Sequence, residues 1–580
     1  MAKWFVTTKR ADFDAIAEQF HISPVAARIL RNRDLTTAEE INLFLNGTLS
    51  DLHSPHAMKD MDRAVSIIMD AIAAGKKIRI VGDYDIDGIC ASYILLTGLL
   101  KCGADVDVKL PDRMKDGYGI NESIIERAHQ DGVQLIVTCD NGIAAFHEME
   151  LARSLGMETV VTDHHEVPYE LTETGDKVYQ LPPADAVVDP HQEDCSYPYA
   201  GICGAVVAYK LIEALYEVQE PSADVSDGLL EFAAFATVGD VMELLDENRI
   251  IVKYGMERIK TTQNIGLRAL INATQTDRDK LSPFHIGFVL GPCINATGRL
   301  DTAERALSLF TTKDQAEAVQ IANELTDLNE SRKELTKRYQ TEAIHQAEEM
   351  VQTDKVLVIY LPDCHESLAG IIAGRIKERY YRPAFILTGA ADGVKGSGRS
   401  IESYHMYEEM SKCKDLFTKY GGHKMAAGLS MKEESIGDFR RRLNEETTLT
   451  EEDMQERVQI DIPMPITYAS KELIRELEIL EPYGTGNPRP LFAEKDVRVL
   501  SARIVGKNQN VVKLSLENSA GVKADGIWFG DGSLFMQELD KSDRKSVSVA
   551  YYPTLNVYMG RENVQLNIQH YLLHEIDRLS

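Results

Sequence analysis

Between Lys76 and Asp189 five short runs rich in valine and isoleucine, KKIRIVG, DVDVKL, VQLIVTC, METVVT and ADAVVD, are separated by stretches of helical pattern. Each run is under eight residues long. The segments between them include CASYILLTGLLKCG and AAFHEMELARSLG, the latter ending in a glycine stop. Strands that alternate with helices build an α/β unit around a mainly parallel sheet. That alternation rules out an all-helical or all-β answer for this part of the chain.

The 580 residues are too many for one core, and the pattern changes along them. Residues 1–70 read as a helical N-terminal extension and 71–305 as the first α/β domain. From Thr312 a long helix is predicted, as the connecting element of 306–352. Thr312 and Gln315 have the spacing of a capping box, and Ile321, Leu325, Leu328, Leu335 and Tyr339 keep a helical stripe. KVLVIYLPD and RPAFILTG then suggest a second α/β domain over 353–450. Residues 451–580 alternate apolar and polar positions with Asn/Gly turns, the pattern of a small β-barrel.

Composition narrows function. The net charge of −28 argues against a protein that coats nucleic acid over its whole surface, while leaving room for a local basic lane. Ile371–Met425 holds ten Lys/Arg against six Asp/Glu, reversing the global sign. Eight scattered cysteines without a CxxC spacing argue against a zinc knuckle or disulfide framework and for a reducing cytosol. MAKWFVTTKRADFD lacks the apolar core of a secretory signal, and no run is long enough to span a bilayer. A cytoplasmic monomer without membrane contact is expected.

Several strands of the first domain end at an acid or a histidine. RIVG leads to Asp83, Asp85 and Asp87; LIVTC to Asp140; TVVT to Asp163, His164, His165 and Glu166; AVV to Asp189. In an open parallel sheet these carboxyl ends share one edge, where ligands bind. So many like charges cannot all ionise side by side, and a divalent cation resolves the conflict; two would use most of the oxygens. Mixed Asp and His donors favour Mn2+, with Mg2+ as the alternative, over thiolate-bound zinc. An EF-hand loop is rejected because its twelfth position is Ile94 and a strand precedes it. A phosphatase forming an aspartyl-phosphate would leave the histidine pair unused. Gly88 reads as the turn into the following helix.

GDYDIDG, CDNG and TDHHE resemble the successive motifs of the DHH phosphoesterase superfamily. GPCINATGRL, GSGRS, GGHKMAAGL and EPYGTGNPRPLF further on are similar to those of its RecJ family of single-strand-specific 5′→3′ exonucleases. The resemblance covers about residue 50 to 580. It implies an α/β multidomain chain: a parallel-sheet DHH domain joined by a long helix to a DHHA1 α/β domain, then an OB-fold-like barrel. Some relatives carry a further C-terminal domain that has no counterpart here. The metal shell is expected from Asp83, Asp85, Asp87, Asp140, His164 and, by resemblance alone, Asp240, with Asp85 and Asp87 ranked above Asp83 as direct ligands. Asp85, Asp140, His164 and His165 are the expected catalytic set, His165 contacting the scissile phosphate or protonating the leaving oxygen. Guanidinium forks suit a terminal phosphate: Arg113, Arg299 and Arg399, with Ser397, are the candidates. His365, Gly422 and His423 are expected to line the cleft, and Trp528 and Phe529 are possible stacking platforms or barrel core. Single-stranded DNA is the expected partner, with a single-strand-binding protein or a helicase beside it. Two other readings fit the motifs: a phosphodiesterase of cyclic dinucleotides or short RNA, which the barrel-like tail disfavours, and an inactive replication factor, which should have lost its ligands.

Overall fold

The computed structural model describes residues 2–112, 117, 119–172, 175–219, 225, 227–391, 393–506, 509–541, 546–558 and 560–573. They form two compact bodies. One contains residues 54–240 and 255–456; the other contains Lys3–His53, Val241–Tyr254 and the described residues from Arg457 onward.

In the first body a five-stranded sheet runs, in spatial order, Asp105–Lys109, Lys77–Val81, Leu135–Cys139, Glu158–Thr162, Ala186–Val188. Every neighbouring pair is parallel. Leu135–Cys139 is buried at every position, which is why its sequence is an unbroken apolar run. Val81 pairs with Thr138, Cys139 with Thr162 and Thr162 with Val188. The residues that come next, Asp83, Asp140, Asp163 and Asp189, therefore leave the sheet along one edge.

The helix after the first of these strands is Ile86–Lys101, starting earlier than its apolar pattern predicts. Asp85 caps it, Oδ1 accepting from the backbone N–H groups of Asp87 and Gly88 at 3.0 and 3.2 Å. Gly88 thus lies inside the first helical turn and is not the turn into the helix. A Cβ on it would meet Asp83 N at 2.5 Å and Asp83 Cα and O at 2.7 Å; glycine is there for close packing.

The long helix is Gln315–Met350, 36 residues and about 54 Å. Asp314, and not Thr312, caps it, accepting from Ala316 N and Glu317 N. It packs on a second, mixed sheet ordered Phe417–Gly422, Ala426–Met431, Gly393–Arg399, Ala384–Ala390, Leu357–Leu361; only the last pair is parallel.

The second body is built on a six-stranded sheet, five strands of which close into a barrel where Phe492–Val505 pairs with Ser546–Tyr558, while Ile462–Pro463 adds to the outer edge of Phe492–Val505. The N-terminal 70 residues do not form an extension of their own. Lys3–Val6 is a strand, parallel to Arg457–Ile460. The helices Phe13–Phe20, Pro24–Asn32 and Ala38–Asn46 have only 8 or 9 residues each, too few to stand alone in water. They place Ile29, Leu30, Ile41 and Phe44 in the same core as Val512, Leu514 and Leu566. Residues 241–254, expected within the first α/β domain, also count here. Arg249, 1% exposed, donates to the carbonyls of Phe44, Ile479, Leu480, Glu481 and Pro482, the partners a buried charge requires. Trp528 packs on Phe535 and Tyr571 with ring centroids 5.3 and 5.2 Å away, whereas Phe529 is 56% exposed.

Among the described residues no helix is long and apolar enough to cross a membrane. All eight cysteines are free thiols.

Candidate metal centre and phosphate cavity

Each acid at the sheet edge is held differently. Asp83 is fully buried; Oδ1 accepts from Gly119 N at 3.2 Å, and Oδ2 has no hydrogen-bond partner. Asp87, also buried, accepts from Gly204 N at 2.7 Å and Ala205 N at 2.8 Å, the first N–H groups of the helix Gly204–Gln219, where a carboxylate is favoured. Asp140 sits at φ +60°, a left-handed conformation that aspartate tolerates better than most residues. Asn141, which sequence reasoning did not single out, braces this corner. Its Nδ2 donates to the carbonyls of Val81 and Cys139, and its Oδ1 accepts from Ile120 N.

The acids and histidines meet. His164 Nε2 lies 3.1 Å from Asp140 Oδ1, 3.4 Å from Asp87 Oδ2 and 3.9 Å from Asp240 Oδ2. Three sets offer donor atoms within 4.8 Å of one another: Asp83, Asp85 and Asp140; Asp87, His164 and Asp240; Asp140, His164 and His165. Asp140 and His164 belong to two sets each, so the donors form one continuous cluster. All of the expected metal and catalytic residues are thus brought together, including Asp240, whose position no spacing rule revealed. Asp189 is fully buried, accepts from His191 N at 2.8 Å and joins none of these sets.

The electrostatics describe a site short of positive charge. Desolvation, and then the neighbouring carboxylates, push Asp83, Asp85 and Asp140 up from the ordinary aspartate range. The same causes take Asp240 up to about 8. Desolvation holds His164 below the usual histidine value, favouring the neutral imidazole that ligates metal. For His165 desolvation opposes the charge, but the hydrogen bond of Nδ1 to Asp163 Oδ1 (2.7 Å) and the nearby carboxylates outweigh it and push it up to about 9. Carboxylate and imidazole donors, one buried oxygen without a partner and mutual repulsion together fit hard divalent cations.

A cavity of about 540 Å³ opens in the same body. Arg299, Ser397 and Arg399 line it, with Lys395 and Lys419, which the motifs did not single out, and one acid, Glu366, paired to Lys395 at 2.8 Å. Arg299 reaches it from the helix Gly291–Leu300 and donates to Ser367 O at 2.8 Å. Arg399 donates to Ser397 Oγ at 3.2 Å and Gly398 O at 2.8 Å; a Cβ on Gly370 would come within 2.8 Å of its Nη2. His365 does not line this cavity: it caps the helix Glu366–Tyr380, its Nδ1 facing Ser367 Oγ at 2.7 Å. Gly422 at φ +151° turns the second sheet's hairpin tightly, with Ala426 O where a Cβ would go. His423 beyond it lines a separate cavity of about 640 Å³ with Asn141, Asp163, His164, His165 and His191. Arg113 lies outside the described residues.

Residues 77–237 match a family model described as the DHH family N-terminal domain, 353–448 the DHHA1 domain, and 460–570 the RecJ OB domain. The single-stranded-DNA-specific exonuclease RecJ of Bacillus subtilis is 35% identical over 96% of this chain and 69% of its own length. That of Escherichia coli is 33% identical over 97% and 98%. Among solved structures, RecJ from Thermus thermophilus in complex with Mn2+ superposes with a TM-score of 0.83 at 29% identity, covering 99% of this chain and 80% of that one. The same protein with Mg2+ gives 0.78 at 28% identity over 99% and 79%.

Proposed function

This chain belongs to the RecJ family of single-stranded-DNA-specific exonucleases, and on that premise we propose that it hydrolyses single-stranded DNA from the 5′ end with two divalent cations, Mn2+ or Mg2+. One observation carries the reading: two sets of acidic and imidazole donors converge on one sheet edge and interlock through His164 and Asp140, 3.1 Å apart.

Asp83, Asp85 and Asp140 would hold one cation, and Asp87, His164 and Asp240 the other. Bound there, the pair supplies charge neutralisation for the phosphoryl oxygens and a more acidic attacking water. The unpartnered Oδ2 supports Asp83 as a direct ligand, above its rank from the sequence. Asp87, with an N–H on each oxygen, is the most rigidly held of the three. Asp163 fixes His165 through Nδ1, which leaves Nε2 to hand a proton to the departing oxygen. Asn141 and the side chain of Asn295, whose Oδ1 accepts from Ile86 N at 2.8 Å, keep the loops carrying the acids in register. Arg299, Arg399 and Ser397 bind the terminal 5′ phosphate in the cationic cavity, and this contact sets the polarity.

We further place the enzyme in DNA repair and recombination, as a cytoplasmic monomer that works beside a single-strand-binding protein or a helicase. Its surplus of acid outside a narrow basic lane repels duplex. Equal salt slopes for duplex and single strands would remove that last argument. Digestion of 5′- and 3′-labelled single strands with Mn2+ or Mg2+, with Asp140→Ala beside the wild type, tests the whole reading. Release of the 5′ label first, abolished in the variant, is expected; activity surviving in the variant overturns the site.

A further inference from the structure

Two phenylalanines stand in solvent where one buried face would be the norm. Phe284 is 61% and Phe288 70% exposed. Their rings stack on each other, centroids 5.0 Å apart and planes 26° from parallel. Phe288 belongs to a π-helical turn, Ile286–Leu290, whose Ile286 and Leu290 are buried; π-turns are rare and gather at functional sites. A Cβ added at Gly287, which lies between the two phenylalanines in sequence, would meet open space.

The turn runs directly into the helix Gly291–Leu300, and that helix lies along the metal loop. A Cβ on Gly291 would meet Ile86 Cδ1 at 3.1 Å, Asn295 receives the N–H of Ile86, and a Cβ on Gly298 would meet Tyr84 O at 2.4 Å. Arg299, at its far end, lines the cationic cavity. Along this one rod the order is therefore aromatic pair, metal loop, phosphate cavity. From Phe288 to Arg299 the axial distance is about 16 Å. A single strand advancing about 3.4 Å per nucleotide covers that in roughly five steps, and fewer if extended.

We infer that Phe284 and Phe288 form a stacking platform for the bases of the substrate strand about three to five nucleotides from its 5′ end. This rests on the 5′ phosphate occupying the Arg299 cavity. The occupant is the strand and not a protein, because the pair continues the line of the hydrolytic site. Aromatic faces accept every base equally, as a processing enzyme without sequence preference requires.

The test compares full-length wild type with Phe284→Ala/Phe288→Ala and with Phe284→Tyr/Phe288→Tyr. Affinity for a 5′-phosphorylated 12-nucleotide strand is read by fluorescence anisotropy in EDTA, without turnover. The alanine pair should weaken it at least about fivefold, the least that losing one stacked base implies, and the tyrosine pair should restore it. Cleavage of a 5′-phosphorylated dinucleotide, too short to reach the platform, should be unchanged in both. Single abasic sites walked inward from the 5′ end should weaken wild-type binding at the third to fifth positions and leave the alanine variant's profile flat. Unchanged affinity with an unchanged abasic profile overturns the platform, and would be the result if the pair serves a protein partner. If wild type shows the penalty only when positions are counted from the 3′ end, and ignores the 5′ phosphate, the polarity reading falls instead.

Discussion

Replacing Gly88 by alanine adds one methyl group, and its consequence can be worked from the backbone it would strike. The new Cβ would lie 2.5 Å from Asp83 N and must recede to the 3.4 Å where ordinary van der Waals contact begins, about 0.9 Å. The atoms it meets are main chain, so no flexible side chain can swing aside. Either the strand end carrying Asp83 or the first turn carrying Asp85 and Asp87 has to move. A displacement of about 1 Å in a reacting constellation costs on the order of 10²-fold in rate, and the ligands on the two sides of the gap move apart. Gly88→Ala should therefore lose about 10²-fold in kcat/KM on 5′-labelled single strands and bind Mn2+ more weakly by calorimetry. Gly374→Ala, a helical site with nothing within 4 Å of the added carbon, should match the wild type. A Gly88→Ala enzyme with wild-type turnover and Mn2+ affinity would refute the claim that this packing sets the ligand geometry.

Asp140→Asn keeps the shape and tolerates the left-handed backbone; it should abolish the Mn2+-induced rise in Tm and cost more than the ~10²-fold expected for an outer-shell partner, yet raise the Tm of the metal-free protein by relieving repulsion. The pH dependence has a definite sign. Asp240 is shifted up to about 8 in the fold, so its contribution is full below the ordinary aspartate range and is lost as pH climbs towards 8; in EDTA the Tm should fall from pH 5 to 8.5, and Mn2+ should flatten or reverse that fall. Arg399→Lys keeps the charge but loses the fork, so the preference for 5′-phosphorylated over 5′-hydroxyl strands should drop about tenfold or more. By urea titration Trp528→Ala, at a partly buried ring, should destabilise the barrel body by about 1–3 kcal/mol, while Phe529→Ala should stay within about 0.5 kcal/mol.

How legible was this in the sequence? The parallel sheet was, because strands buried throughout, such as Leu135–Cys139, leave apolar runs that nothing else explains. The convergence of acids and histidines was legible for the same reason: strand ends share an edge once the strands are parallel. Asn141 and Lys395 escaped because their roles depend on what stands across from them, which no local pattern encodes. Gly88 was misread because a close approach between residues five apart looks, in one dimension, like any turn glycine. His365 was placed in the cleft from its motif, whereas the helix it starts draws its ring to Ser367 Oγ. The N-terminal helices looked independent because amphipathic faces announce that they need a partner and not which one.

That partner is late to arrive. Asn32 donates from its side chain to Asp461, 429 residues further on, and Lys3–Val6 completes its pairing only with Arg457–Ile460. At about 5–20 residues per second a ribosome takes roughly 20–90 s to make that interval. Throughout it Ile29, Leu30, Ile41 and Phe44 have none of the barrel's strands to cover them. The barrel body thus joins segments more than 400 residues apart, and until the later one is made the apolar faces of the earlier helices stay exposed to water.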